Sequence, residues 1–167
     1  MVLTKNEILK LVKKKKVVIA PFEKTQVGPA SIDLTLADEF RVYTGKNKID
    51  IREGTDYKKY TKKVTARTMK LRPGEFILGI SEEKIKLPSD ICGILTGRSR
   101  FARLGLAIHA TASLIQPGVN NKQVFEIKNI SPRTLILEKG LKIGQLILVE
   151  TKGKAKYEGC FAEQESI

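Results

Sequence analysis

Residues 91–110 have the sequence ICGILTGRSRFARLGLAIHA. Two segments rich in Ile, Leu and Gly, 91–97 and 106–110, flank a basic stretch of good helix formers. This arrangement predicts a β-strand, a one-turn helix after Arg98 with Ser99 as its cap, and a second β-strand. Short strands joined by tight connections are typical of mainly β folds, so this stretch indicates the fold class.

The rest of the chain repeats the pattern of short β-type segments bounded by Gly, Pro, Asn and Asp. Such spacing predicts a β-barrel or a β-sandwich. The predicted strands cover residues 17–20, 31–36, 39–43, 64–71, 75–80, 91–97, 106–110, 122–128, 133–137 and 143–149.

Three segments differ from this pattern. Thr4 and Glu7 have capping-box spacing, and the apolar residues that follow recur at helical intervals, which predicts a short amphipathic helix over 4–14. Residues 44–63 are polar and Lys-rich, and they predict a long irregular excursion. The tail, residues 151–167, has no clear period. It is predicted to form a mobile arm beyond a β domain at residues 1–150.

The composition indicates one globular domain. The chain has 167 residues, of which 41% are hydrophobic and 29% charged, and this is enough to bury a core. Its longest apolar run, residues 17–22, is far too short to span a bilayer, and we find no signal-peptide pattern. The two cysteines, Cys92 and Cys160, are too few for a disulfide framework. These features predict a cytoplasmic protein without a membrane partner.

The formal net charge of +13 indicates a polyanionic ligand. A nucleic acid and a small triphosphate both satisfy this charge. The lysine clusters at 13–16, 58–59 and 62–63 lack the interleaved aromatic residues that single-strand binding platforms use. We therefore expect solvated lysines in these clusters and no nucleic-acid partner.

The basic segment after Gly97 has the composition of an anion site. Backbone N–H groups at the start of the helical turn, the Ser99 hydroxyl and the guanidinium groups of Arg98 and Arg103 would converge on phosphate oxygens. On spacing alone, a surface turn with solvated arginines is the alternative.

Glu126 stands in the apolar segment Val124-Phe125-Glu126-Ile127. A carboxylate buried there without a partner would be costly, so Glu126 is a candidate general base or acid. An outward-facing position on an alternating strand is the alternative. The single histidine, His109, ends another apolar segment, where a histidine is more often a core residue than a ligand.

Several short motifs, taken in order, resemble the dCTP deaminase branch of the dUTPase-like superfamily. The resemblance extends over roughly residues 1–150 and rests on collinear order, because no single motif decides it. The motifs are Gly28-Pro29-Ala30-Ser31-Ile32-Asp33-Leu34-Thr35-Leu36, Gly74-Glu75-Phe76-Ile77-Leu78-Gly79, Lys86-Leu87-Pro88, residues 97–106, Thr111-Ala112, Pro117-Gly118, Phe125-Glu126, Ile143-Gly144-Gln145-Leu146 and, in the tail, Lys156-Tyr157-x-Gly159.

The resemblance implies a distorted jelly-roll of the dUTPase-like β-clip type. It implies a homotrimer with active sites between subunits, dCTP or dUTP as ligand, and Mg²⁺ bound through the nucleotide phosphates. The nucleotide dTTP is the inhibitor that the family pattern suggests.

The resemblance also assigns roles. It implies that Arg98 and Ser99 hold phosphate, and that Arg103 positions the attacking water and the catalytic carboxylate. Glu126 is expected to accept a proton from the water that attacks C4 of cytosine and then to protonate the departing ammonia. His109 belongs to the region expected to rearrange between active and inhibited states. The remaining substrate-binding positions are Arg100, Ala112, Gln116, Lys156 and Tyr157.

The sequence also bears on the metal requirement. Zinc-dependent nucleobase deaminases use His-x-Glu and Pro-Cys-x-x-Cys motifs, whereas this chain has one His and two isolated Cys. We therefore expect zinc-independent deamination, with a carboxylate as the base and no metal ligated by the protein.

Three positions depart from the family pattern. Arg100 replaces the second Ser of the family's Arg-Ser-Ser, so the phosphate contacts differ. Gln116 replaces the Asp that meets the deoxyribose and that activates water in diphosphatases. The glycine that usually follows is replaced in Asn120-Asn121.

We expect conversion of dCTP and water to dUTP and ammonia. The enzymatic alternative is a dUTP diphosphatase or a bifunctional deaminase and diphosphatase, which the loss of a carboxylate at Gln116 disfavours. The alternative of another class is a non-catalytic nucleotide-binding regulator.

Overall fold

The computed structural model describes residues 1–46 and 48–167. Its two α-helices are α1 (Lys5–Lys13) and α2 (Ser99–Ala102). Single 3-10 turns lie at Lys24–Gln26 and Tyr57–Tyr60. The strands are β1 (Val18–Ala20), β2 (Ile32–Tyr43), β3 (Thr61–Thr65), β4 (Thr68–Leu71), β5 (Phe76–Lys86), β6 (Ile91–Gly97), β7 (Leu106–Ile108), β8 (Leu114–Ile115), β9 (Asn120–Asn129), β10 (Leu135–Glu138) and β11 (Lys142–Glu150).

The strands form one large antiparallel sheet and a separate antiparallel pair. The order in the large sheet is β7-β9-β5-β2-β11-β6-β8, with β1 added to β5 and β3 added to β2. Strands β10 and β4 form the second sheet. The sheet curls, so the ends of the order approach each other: a Cβ on Gly97 of β6 would lie 3.3 Å from Cβ of Ile108 in β7. The predicted mainly β fold is confirmed.

Strand boundaries differ from the predictions in two places, where predicted strands either merge or divide. The predicted strands 31–36 and 39–43 form the single strand β2, whose pairing with β5 shifts register between Leu36 and Phe40. The predicted strand 64–71 is instead two strands, β3 and β4, which pair with different partners. The short strand β8 escaped prediction because two residues carry no periodicity.

Both helices occur where they were predicted, but neither predicted cap is formed. Thr4 precedes α1 without a side-chain cap bond, and Glu7 pairs with Lys10 instead. Arg98, rather than Ser99, occupies the N-cap position of α2, also without a cap bond. Among the described residues, no helix has both the length and the apolar character that crossing a membrane requires.

The core is centred on two aromatic side chains, Phe40 of β2 and Phe125 of β9, both fully buried. Gly144 of β11 makes room for Phe125, because a Cβ at this position would lie 2.6 Å from its Cε1 atom. Any side chain at residue 144 would therefore displace the Phe125 ring, through which β9 packs against β11.

The C-terminal tail, which was predicted as a mobile arm, lies against the β domain. Its backbone accepts hydrogen bonds from Asn120 and Lys122 of β9, each 2.8 Å long, at the carbonyls of Ala162 and Gln164. Ile167 is 2% exposed and packs with Ala37 and Ile80, among other side chains. The sequence could not reveal this docking, because the partners of the tail lie far away along the chain.

Glu83 of β5 carries a buried carboxyl group, with 1% of the residue's surface exposed. Its Oε1 accepts a 2.6 Å hydrogen bond from Gln26 Nε2, and its Oε2 accepts a 2.9 Å bond from the Thr35 amide. Burial raises the pKa of Glu83 above its usual value, and the bonds from Thr35 and Gln26 offset part of this increase.

This raised pKa predicts a pH dependence of stability. The folded chain holds the Glu83 proton more tightly than the unfolded chain does, so its contribution is greatest below the ordinary glutamate pKa and is lost as the pH rises through the folded pKa. Each unit of pKa difference corresponds to about 1.4 kcal/mol. Urea unfolding of wild type and Glu83→Gln across acidic to neutral pH should show the wild-type advantage shrinking as the pH rises. A difference that stays constant with pH would contradict the assignment.

Candidate active site

A cavity of about 430 Å³ opens beside β9. Its wall combines β9 with the loop between β7 and β9, the excursion between β2 and β3, and the tail. The lining residues that matter here are Tyr57, His109, Ala112, Gln116, Asn121, Gln123, Glu126, Tyr157, Phe161 and Gln164. Carboxylate, amide and aromatic groups therefore meet around one space large enough for a small organic ligand.

Glu126 lies on the half-buried face of β9, opposite its fully buried neighbours Phe125 and Ile127. Glu126 therefore faces away from the core of the sheet, as the alternative from strand alternation predicted. Its side chain nevertheless lines the cavity. Its carboxylate accepts hydrogen bonds from the Thr111 amide at 2.6 Å and from the Thr111 hydroxyl at 2.8 Å. Two donors from one residue fix the direction of the carboxylate without burying it.

The loop that supplies Thr111 is anchored to β9 through His109. The His109 amide donates to the Glu126 carbonyl at 2.8 Å, which continues the pairing of β7 with β9. His109 has a φ of 62°, an uncommon conformation for a non-glycine residue. Its ring Nε2 lies 2.7 Å from the Ala112 carbonyl and donates to it, whereas Nδ1 is buried and has no protein partner among the described residues.

The Arg98 side chain does not line the described cavity. Its guanidinium forms a 3.0 Å ion pair with Asp33 and donates a 2.7 Å bond to the Lys142 carbonyl. The guanidinium therefore lies beside β2 and β11. In the order of the sheet, β5 separates these two strands from β9. Neighbouring Ser99, Arg100 and Arg103 belong to α2 or follow it, and none of them lines the described cavity. Within a single chain, the basic segment and Glu126 thus do not line the same described cavity.

The other predicted site residues divide between the cavity wall and its margin. Ala112, Gln116 and Tyr157 line the cavity. Lys156 lies at its margin, where its Cγ would be 2.8 Å from a Cβ on Gly118. The Tyr157 amide donates a 2.9 Å bond to the Pro117 carbonyl, which draws the start of the tail against the turn after Gln116.

Sequence reasoning missed several wall residues. Tyr57 reaches the cavity from the excursion, and the guanidinium carbon of Arg41 lies 5.6 Å from its ring centre. Burial raises the pKa of Tyr57, and the nearby Arg41 cation opposes this rise. Asn121 and Gln123 carried a detectable signal, since both are polar residues in the buried phase of β9. Phe161 carried none, because the tail has no period.

A family model described as dCTP deaminase-like matches residues 2–151. The chain belongs to this family. A dCTP deaminase, dUMP-forming, from Corynebacterium kroppenstedtii is 36% identical over 151 residues, which cover 89% of this chain and 81% of the relative. A dCTP deaminase from Halorubrum lacusprofundi is 32% identical over 163 residues, which cover 93% of this chain and 80% of the relative. The resemblance stated from the sequence motifs is therefore confirmed.

Among solved structures, the family fold is found in the crystal structure of 2'-deoxycytidine 5'-triphosphate deaminase from Agrobacterium tumefaciens. It matches with a TM-score of 0.68 at 22% identity and covers 90% of this chain. The matched region is about half of the Agrobacterium chain, 48% of its length. At this identity the likeness supports the fold alone, and it agrees with the distorted jelly-roll predicted from the family motifs.

Proposed function

We propose that this chain is a hydrolase that deaminates dCTP at C4 of the cytosine ring, without zinc. The observation that carries the proposal is the Glu126 carboxylate, held by Thr111 at the wall of a 430 Å³ cavity. The family membership supports the same activity, since two relatives that match over most of the chain are named dCTP deaminases.

In the proposed reaction, Glu126 acts first as base and then as acid. Its carboxylate takes a proton from water as the oxygen attacks C4, and it returns a proton to the amino nitrogen as the C4–N bond breaks. The balance is dCTP and water to dUTP and ammonia. The two donors of Thr111 keep the carboxylate pointing in one direction during both transfers. We propose that Arg103, brought by a second subunit, positions the water and the carboxylate.

We propose that the basic segment binds the triphosphate across a subunit boundary. Arg98 supports this role because Asp33 and the Lys142 carbonyl already fix its guanidinium direction, which lowers the entropic cost of contacting phosphate. Ser99 and Arg100 lie at the start of the helical turn and would contribute a hydroxyl and a second cation. Lys156 and Tyr157 would contact the nucleotide from the tail.

Magnesium enters the proposal as an ion carried by the nucleotide. Within residues 1–46 and 48–167, no three His, Cys, Asp or Glu side chains are grouped to hold a metal ion. We propose that the ion is coordinated mainly by phosphate oxygens and water. Magnesium supplies charge neutralisation on the triphosphate, and the proton transfers belong to the side chains of the protein.

We also propose that the region around His109 changes conformation between active and inhibited states, with dTTP as the inhibitor. The positive φ of His109 and its buried, unpartnered Nδ1 support this idea, because the described conformation leaves both strain and an unused hydrogen-bonding group. Rotation of this loop would also move Thr111, which holds Glu126.

The nature of the product is the finer part of the proposal. The Corynebacterium relative is named dUMP-forming, which favours a bifunctional enzyme that also splits the triphosphate, whereas the Halorubrum relative is named without this step. In this chain the cavity wall carries the neutral Gln116. An amide can orient water but cannot take its proton. We therefore propose dUTP as the product and bifunctional turnover to dUMP as the second candidate.

Glu126→Gln should abolish ammonia release while dCTP still binds. The amide keeps the shape of the side chain but cannot accept a proton, so kcat should fall by about 10² to 10⁴. Enzymatic ammonia detection and isothermal titration calorimetry with dCTP measure the two properties separately. Glu158→Gln is the matched control, since Glu158 is exposed and does not belong to the described lining. Ammonia release by Glu126→Gln at the rate of the control would remove Glu126 from the mechanism.

Wild-type protein incubated with dCTP should release ammonia and dUTP with little pyrophosphate. The reason is the neutral amide at Gln116, and Gln116→Asp is expected to increase pyrophosphate release. Chromatography of the nucleotides, combined with separate ammonia and pyrophosphate assays, identifies each product. Equal amounts of ammonia and pyrophosphate from wild type would make the bifunctional enzyme correct. Binding of dCTP with neither product would favour the nucleotide-binding regulator.

The protein should be a trimer in solution. Ile94 of β6 and Leu114 of β8 are paired neighbours, and their side chains are 38% and 54% exposed, which leaves an apolar patch that a second subunit would cover. Multi-angle light scattering should give the mass of three chains, and Ile94→Lys should lower both the mass and the rate of deamination. A fully active monomer would contradict a site completed by a neighbouring subunit.

A further inference from the structure

Two amide side chains occupy core positions in the first half of β9. Asn121 and Gln123 are 7% and 8% exposed and are in phase with the fully buried Phe125 and Ile127. Polar side chains at such positions destabilise a fold unless their hydrogen-bonding groups are satisfied. Both side chains also line the cavity that contains Glu126. The hydrogen-bond partners of Asn121 and Gln123 therefore explain why β9 carries polar residues at core positions next to the cavity.

The two amides connect β9 to the tail. Gln123 Nε2 donates a 2.6 Å bond to Asn121 Oδ1, and Asn121 Nδ2 donates a 2.6 Å bond to the Phe161 carbonyl. The backbone of Gln123 is fixed as well, because its N–H donates a 2.8 Å bond to the buried Ser81 hydroxyl. A chain of buried hydrogen bonds thus runs from β5 through Gln123 and Asn121 to the tail backbone.

The tail lies along the part of the β9 edge that no strand covers in the described structure. Strand β7 pairs with β9 only at residues 127–129, so the other half of this edge is open. There the amides of Asn120 and Lys122 donate to Ala162 and Gln164. This backbone pairing brings Phe161 and Gln164 into the cavity wall. Asn121 adds the one side-chain bond from β9 to this part of the tail in the described structure.

We propose that Asn121 is a positioning residue that holds the tail on β9, so that the Phe161 ring forms a wall of the nucleotide cavity. This inference rests on the proposed dCTP deaminase function. The flat, 49% exposed ring of Phe161 is suited to the face of a pyrimidine base.

The energetic consequence should appear in substrate binding rather than in chemistry. A tail that spends less time on β9 lowers the fraction of protein with a complete cavity, and the apparent affinity falls by that fraction. Among the described residues no hydrogen bond joins Asn121 to Glu126 or Thr111, so the bound substrate should react at the normal rate. A purely structural role for Asn121 would instead lower stability without a selective effect on KM.

Asn121→Asp tests the bond with little change of shape. The carboxylate still accepts from Gln123 Nε2, but it cannot donate to the Phe161 carbonyl and repels it. Asn120→Asp is the matched control, because it introduces the same charge one residue away while its backbone bond to Ala162 remains. Phe161→Ala is the third variant, since it removes the ring and keeps the carbonyl that Asn121 binds.

Two readouts are measured on each full-length variant. Glutamyl endopeptidase cleaves after Glu163 and Glu165 when the tail leaves β9, and the cleavage rate reports tail release without any turnover. Steady-state ammonia release gives KM and kcat for dCTP. For Asn121→Asp, loss of a buried hydrogen bond predicts up to about tenfold faster cleavage as the open fraction of the tail rises, and a KM raised as the docked fraction falls, with kcat within twofold of wild type. Asn120→Asp should match wild type in both readouts.

Phe161→Ala should raise KM while its cleavage rate stays near wild type, which separates the ring from the anchor. Unchanged cleavage and KM in Asn121→Asp, or equal effects in Asn120→Asp, would overturn the inference. If wild type releases no ammonia, the proposed function fails by itself. The inference is then decided by whether dCTP slows wild-type tail cleavage more than it slows that of Asn121→Asp, and equal or absent protection would overturn it.

Discussion

Every second residue of β9 from Asn121 to Asn129 faces the core, and Phe125 and Ile127 are fully buried there. This alternation fixes the register of β9 against β5, because a slip by one residue would expose the whole apolar set. The packing of Phe125 also depends on Gly144, since any Cβ at that position would collide with the Phe125 ring. The position of Glu126 on the opposite face follows directly from this packing.

The candidate site is therefore built on a rigid strand and completed by less regular segments. Glu126 is fixed by the register of β9, whereas Thr111, Tyr57 and Phe161 arrive from a loop, an excursion and the tail. A catalytic carboxylate requires a fixed direction, and the strand together with two donors from Thr111 supplies it. Walls that contact a ligand by shape tolerate more freedom, so their location on connecting segments is reasonable.

Local pattern was sufficient to find the residues whose roles depend on local structure. The helical turn at Ser99–Ala102 and the half-buried position of Glu126 both follow from a few neighbouring residues. Arg98 was found as well, but its partners Asp33 and Lys142 lie on strands that are distant in sequence. That Arg98 does not line the cavity of Glu126 within one chain could not be predicted from the basic segment alone.

The sequence by itself determined the mainly β class, the positions of both helices and the family, because periodicity, turn residues and motif order are local or collinear properties. Only the tertiary structure decided that the tail lies on β9, that Asn121 holds the Phe161 carbonyl and that Tyr57 reaches the cavity. Each of these contacts joins segments that are far apart in the chain. The tail contacts lie where strand β7 leaves half of the β9 edge unpaired, because backbone groups at a strand edge favour a hydrogen-bonded partner.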